Sequence, residues 1–113
     1  MSTPKDLSLH ELRKANDDRA ELWRRGGSPL GLEFAVIELC GETGELANAV
    51  KKLLRAQKGI AGGVADMEPV VDELADVVIC CDLLAKQLGV DLAAAVRAKF
   101  NNTSDKMGFG VRL

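Results

Sequence analysis

The chain is 113 residues long and carries 15 basic residues against 17 acidic ones, for a net charge of −2. That length suits one domain, 1–113, and the near-balance of charge excludes the basic field that would hold nucleic acid or an anionic membrane. No apolar run approaches the roughly 20 residues a membrane helix needs, and Met1-Ser2-Thr3-Pro4-Lys5-Asp6 has no signal-peptide core, so a cytoplasmic location is expected.

Tyrosine is absent and Ala, Leu, Glu, Asp, Lys and Arg dominate, which favours helix over sheet. After an N-terminal arm, 1–7, Ser8 and Glu11 form a Ser-x-x-Glu capping box, so a first helix is predicted from there to about Arg25. Gly26-Gly27-Ser28-Pro29 stops it. A long second helix is predicted from about Gly31 to Gln57, with Lys51, Lys52 and Arg55 gathered where the helix dipole favours cations. The glycine-rich stretch from Gly59 to about Asp66 is expected to be a flexible loop, suited to closing as a lid.

A third helix is predicted from Glu68-Pro69 to Leu88, with Gly89 as its stop, and Asp91 then caps a fourth from Leu92 to Lys106. Residues 107–113 read as an irregular tail. Four helices with short connections give an all-α fold resembling a four-helix bundle, and a domain this small buries a modest share of its surface, so self-association is expected. Cys40, Cys80 and Cys81 sit in apolar patterns without Cys-x-x-Cys spacing and are expected to be buried, reduced thiols. His10, outside any ligand pattern, is expected to be structural or solvent-exposed. Trp23 is expected to pack on its amphipathic helix, with stacking on a base as the alternative.

Glu38, Glu42 and Glu45, spaced by four and three, lie within about 60° of one another on the second helix. Their stripe adjoins the apolar arc of Ala35, Leu39, Leu46, Val50 and Leu53, which places the acids on the shoulder of the core. On the third helix Glu73 and Asp76 project from a surface otherwise made of Val77, Val78, Ile79, Cys80, Cys81, Leu84 and Leu88. Asp82, about 180° from Glu73 on the same wheel, is expected to mark a narrow solvent face and to pair with Lys86.

If the two helices pack antiparallel, Glu42-x-x-Glu45 faces Glu73-x-x-Asp76 across the interface. A like-charged pair at about 4 Å costs on the order of 4 kcal/mol at an effective dielectric near 20, so several such pairs demand compensation. The neighbouring positions Val77, Cys80 and Leu84 offer no base. Oxygen-only donors select Mg²⁺, Mn²⁺ or Ca²⁺, while a di-iron centre would need Glu-x-x-His motifs that a chain with one histidine lacks. The bland alternative is a set of solvated carboxylates paired with Lys51, Lys52, Arg55 and Lys86. Gly41 and Gly44, each costing about 1 kcal/mol against alanine inside a helix, suggest close helix approach or ligand access.

Residues 41–52, Gly-Glu-Thr-Gly-Glu-Leu-Ala-Asn-Ala-Val-Lys-Lys, followed by 72–78, Asp-Glu-Leu-Ala-Asp-Val-Val, resemble the MazG-like all-α nucleoside triphosphate pyrophosphohydrolases. The likeness spans about residues 30–106, and 99–106 is similar to the terminal-helix segment of small bacterial and phage members. The resemblance implies Mg²⁺-dependent cleavage of a nucleoside triphosphate between its α- and β-phosphates, with Mn²⁺ as a possible substitute. It implies Glu42, Glu45, Glu73 and Asp76 as metal ligands, with one of these or Glu38 acting on the attacking water. Lys52 and Lys99 are the implied phosphate contacts, with Asn48, Asn101 and Asn102 beside them. It also implies a homodimer or tetramer with the active site near subunit contacts. Position 41 is Gly where many larger members carry glutamate, and Glu38 stands one turn upstream as a candidate substitute. A non-catalytic helical nucleotide- or metal-binding module, or a regulatory one, is the alternative.

Overall fold

The computed structural model of the chain describes residues 5–113, so residues 1–4 of the expected arm lie outside the described residues. Four α-helices follow one another: α1 (Leu9–Arg24), α2 (Leu32–Gln57), α3 (Glu68–Gln87) and α4 (Leu92–Met107), with no strand among the described residues. The ends fall where the local chemistry puts them. Ser8 Oγ accepts the Glu11 N–H at 3.0 Å, and Asp91 Oδ1 accepts the Ala94 N–H at 3.1 Å, each satisfying an orphan donor of a first turn. Gly108 closes α4 in the left-handed region at φ 72°, as glycine does most cheaply. No helix is long and apolar enough to cross a membrane among the described residues.

Helix α3 is the central element, packed on α2 along one side and on α1 along another, while α4 packs on α1. The α2–α3 pair is antiparallel. Lys52 and Asn48 of α2 share a cavity with Pro69 of α3, and further along Glu42 meets Asp76, so numbers rise on one helix as they fall on the other.

That central position overturns the expectation for Asp82. Far from lying on a solvent face, Asp82 is fully buried. The Arg13 Nε–H donates to its Oδ1 at 3.0 Å and the Asn16 amide to its Oδ2 at 3.0 Å, both from α1. Arg13 also donates to the Val90 carbonyl at 2.8 Å, tying α1 to the α3–α4 turn. Lys86 pairs with Asp17 of α1 at 3.1 Å instead. The side of α3 opposite Glu73 is polar because α1 docks there with matching donors, which a wheel of α3 alone cannot reveal.

The glycine-rich loop differs too, since it is strapped to α2 rather than free of it. The Ile60 N–H donates to the Arg55 carbonyl at 2.8 Å, and the Val64 N–H to that of Lys52 at 3.0 Å. Gly63 lies so close that a Cβ there would stand 2.4 Å from the Ala56 nitrogen. Glycine at 63 therefore serves close approach, not hinge motion.

The packed interior is small, with Ala35, Cys80 and Ala85 as its buried apolar residues among those described. The accessible surface is 8479 Å², against about 6,000 Å² for a compact chain of this mass, and the radius of gyration is 17.6 Å against about 13 Å. The bundle is open. Cys40 and Trp23, both expected to pack, are exposed, Trp23 at 76%.

Because Asp82 and its donors form one buried network, Asp82→Ala is expected to lower stability by about 3 kcal/mol, leaving the Arg13 and Asn16 donors without an acceptor. Replacing Asp82 and Arg13 together by leucine and methionine should cost less than Asp82→Ala alone. Urea unfolding followed by circular dichroism measures both.

Candidate metal centre

Antiparallel packing of two helices, each carrying acids three residues apart, brings carboxylates from both into one place. Glu42 of α2 and Glu73 and Asp76 of α3 each present a carboxylate oxygen, all within 4.8 Å of one another. None of the three pairs with a lysine or arginine among the described residues; the ion pairs formed elsewhere use Asp82, Asp17 and other acids. The reading of these acids as salt-bridged surface groups therefore has no ion pair behind it. Lys86, one of its supposed partners, is engaged with Asp17.

The crowding has an electrostatic consequence. A proton shared in a hydrogen bond with Glu73, together with desolvation and the charges of Glu45, Asp76 and Glu73, pushes the Glu42 carboxyl up from 4.5 to about 7. Glu42 Oε2 and Glu73 Oε2 are buried, and apart from a proton shared between the two acids no donor reaches either. Orphaned anionic oxygens inside a helix interface are costly unless a proton or a cation satisfies them. Hard divalent ions take oxygens at about 2.0–2.6 Å, so donors within 4.8 Å of one another lie in reach of one ion. The residues fit a hard cation of the Mg²⁺ type, held by Glu42, Glu73 and Asp76.

Glu45 does not join that trio. One turn along α2 it lines a cavity of about 230 Å³ with Asn48, Lys52, Val64, Asp66 and Glu73. Lys52 and Asn48 thus stand beside the carboxylates, as their positions on α2 suggest. Glu38 is half-buried further toward the α2 N-terminus, close enough for its charge to act on Cys80. Burial and the charges of Glu38, Glu42 and Asp76 push the Cys80 thiol up to about 11, which keeps it protonated next to the acids.

Lys99, Asn101 and Asn102 are not brought to the cluster. They lie on α4, whose packing partner is α1, and none of them lines the cavity. The Asn101 amide is spent on the tail instead: its Nδ2 donates to the Leu113 carbonyl at 3.2 Å, and its Oδ1 accepts the Leu113 N–H at 2.8 Å. Asp66 is the cavity residue that sequence reasoning passed over. Its Oδ1 accepts the Glu68 N–H at 3.0 Å, and an Asp two residues before a helix start is the pattern that could have flagged it.

The raised Glu42 value fixes a pH dependence for the metal-free chain. The folded state favours the protonated form, so its contribution to stability is full below about pH 4.5 and is lost as pH rises through about 7. In chelator, the melting temperature should fall across that interval, Mg²⁺ should restore it at pH 8, and Glu42→Gln should flatten the profile. Differential scanning fluorimetry over a pH series reads all three outcomes.

Two comparisons with known proteins bear on this arrangement. A family model described as the MazG-like family matches residues 36–111, which include every residue of the carboxylate cluster and the whole of its cavity. The Gene 37 protein of Mycobacterium phage L5 is 35% identical over 81 residues, covering 72% of this chain and 70% of that protein. With its all-α topology and its acids on α2 and α3, the chain belongs to the MazG-like family.

Proposed function

We propose that the protein is a Mg²⁺-dependent nucleoside triphosphate pyrophosphohydrolase, releasing a nucleoside monophosphate and pyrophosphate. The observation that supports this reading best is the convergence of Glu42, Glu73 and Asp76, two of them with orphaned buried oxygens, beside a cavity that holds Lys52 and Asn48. A bound Mg²⁺ would supply charge neutralisation for the phosphates and a polarised water, with Mn²⁺ able to substitute.

The chain's own groups divide the remaining work. Lys52 is placed to meet phosphate oxygens as a point charge, and Asn48 to hydrogen-bond them through its amide. Glu45 lines the cavity yet stands outside the trio, which makes it the carboxylate best placed to orient water and take its proton as the bond between the α- and β-phosphates breaks. Glu38 supports the acidic field from one turn upstream. Lys99 and Asn102 sit on α4 away from this cavity, so they contact substrate only where a second subunit supplies them. We assign the protein a homo-oligomeric state on the surplus of accessible surface over a compact chain.

Incubating the chain with a panel of ribo- and deoxyribonucleoside triphosphates and Mg²⁺, then measuring pyrophosphate, tests the activity. Asp76→Asn should lose both Mg²⁺ affinity and turnover, each by at least about tenfold. Glu45→Gln should lose turnover by on the order of a hundredfold while keeping Mg²⁺ affinity, since it is placed as base and not as ligand. Calorimetry that finds Mg²⁺ and nucleotide bound, with no pyrophosphate released from any triphosphate, would make the protein a binding module instead.

A further inference from the structure

The two walls of the cavity beside the carboxylates differ in chemistry. From α2, Asn48 and Lys52 offer an amide and a cation, groups that meet phosphate. From the loop before α3 and its first turn, Val64, Asp66 and Pro69 offer two apolar surfaces and one carboxylate. Lys52 and Asp66 thus line one cavity with opposite charge, yet neither joins an ion pair among the described residues. A cation and an anion kept apart across about 230 Å³ suit a molecule that is anionic at one end and a hydrogen-bond donor at the other.

The loop wall is fixed in place. The Val64 N–H on the Lys52 carbonyl at 3.0 Å, the Ile60 N–H on the Arg55 carbonyl at 2.8 Å, and the close approach of Gly63 to Ala56 set its distance from α2. Asp66 is held in turn, because its Oδ1 accepts the Glu68 N–H at 3.0 Å and ties the side chain to the start of α3. Its second oxygen makes no hydrogen bond among the described residues. The wall is therefore preorganised and carries one acceptor to spare. An ionised carboxylate donates nothing and repels phosphate, so the group it meets is a hydroxyl or an N–H.

The size of the cavity narrows the choice. Pockets that enclose a whole drug-sized ligand measure about 300–1,000 Å³, so about 230 Å³ takes part of a nucleotide. Glu73 belongs both to this cavity and to the carboxylate trio, so the part that enters is the one adjoining the phosphate at which cleavage occurs. In a nucleoside triphosphate that part is the pentose, joined to the α-phosphate by one ester bond. The base lies further out.

We propose that Asp66 is a specificity-determining residue, accepting a hydrogen bond from a hydroxyl of the pentose while the α2 wall holds phosphate. The inference rests on the nucleotide reading of this cavity. Val64 and Pro69 then face the carbon side of the sugar ring. Carboxylates read ribose hydroxyls in the same way where dinucleotides bind.

Comparing ribonucleoside triphosphates with their 2′,3′-dideoxy analogues, in the wild type and in Asp66→Ser, tests this. Serine keeps a side-chain oxygen for the Glu68 N–H but has no second arm, so circular dichroism should be unchanged. The wild type is expected to favour the ribonucleotide in kcat/KM by at least about tenfold, and Asp66→Ser to bring that ratio within about twofold. The singly deoxygenated substrates then assign the hydroxyl. A wild type that ignores the missing hydroxyls overturns the proposal. So does an Asp66→Ser chain that slows both substrates by the same factor, as a purely structural role would require, or one that changes only the preference among bases. Calorimetry with Mg²⁺ and an α,β-methylene ribonucleotide, against its dideoxy counterpart, reads the same ratio in Kd. A chain that binds these analogues without releasing pyrophosphate from any triphosphate therefore sinks the hydrolase reading and still tests the sugar contact; a chain that binds neither analogue overturns that contact.

Discussion

The crowding of carboxylates at the α2–α3 interface is the constraint on which the rest of the structure turns. Two amphipathic helices packed antiparallel would ordinarily fill their contact with leucine and valine, yet here Glu42, Glu73 and Asp76 bring oxygens within 4.8 Å of one another. A domain whose total stability is expected at some 5–15 kcal/mol cannot hold such a contact in fully ionised form without help. A proton on Glu42 supplies that help in the metal-free chain. A hard divalent cation would answer the same oxygens with more charge than a proton, and the three donors lie close enough together to share one.

The contrast with Asp82 makes the point within one helix. Asp82 is the more deeply buried acid, and the fold answers its charge with the Arg13 guanidinium and the Asn16 amide. Half a helix turn around α3, the cluster receives no such answer, although Lys52 stands on the adjoining cavity wall. The chain thus has the means to neutralise a buried carboxylate with its own groups and leaves these three to something else. That difference separates Asp82, whose charge the fold answers, from the cluster, whose oxygen-only donor set fits a hard cation.

Much of this was legible in the amino-acid sequence, and the misses have a common cause. The caps at Ser8 and Asp91, the glycine stops and the apolar periodicity place all four helices to within a residue or so, because these are local properties of the chain. The trio was legible because spacings of three put acids on one face of each helix. What a single helix cannot show is which neighbour covers each face. The expectation for Asp82 fails because α1 lies over it, and those for Cys40 and Trp23 because nothing in the chain lies over them. The loop from Gly59 to about Asp66 shows a related point: glycine permits flexibility, but Gly63 is used for contact with Ala56.

Helix α2 has to satisfy three surfaces at once, and its composition follows from that. Leu39, Leu46 and Leu53 face α3, Glu38, Glu42 and Glu45 form the acidic shoulder, and the outer side sets Ile37, Cys40, Gly44 and Ala47 among Glu33, Lys51 and Arg55. Nothing in the chain lies within 4 Å of the place a Cβ would take at Gly41 or Gly44, so packing within one chain gives no reason for either glycine. With so few residues buried in one chain, α2 rests chiefly on α3, so the contact that carries the repelling carboxylates is also the main one holding the helix in place.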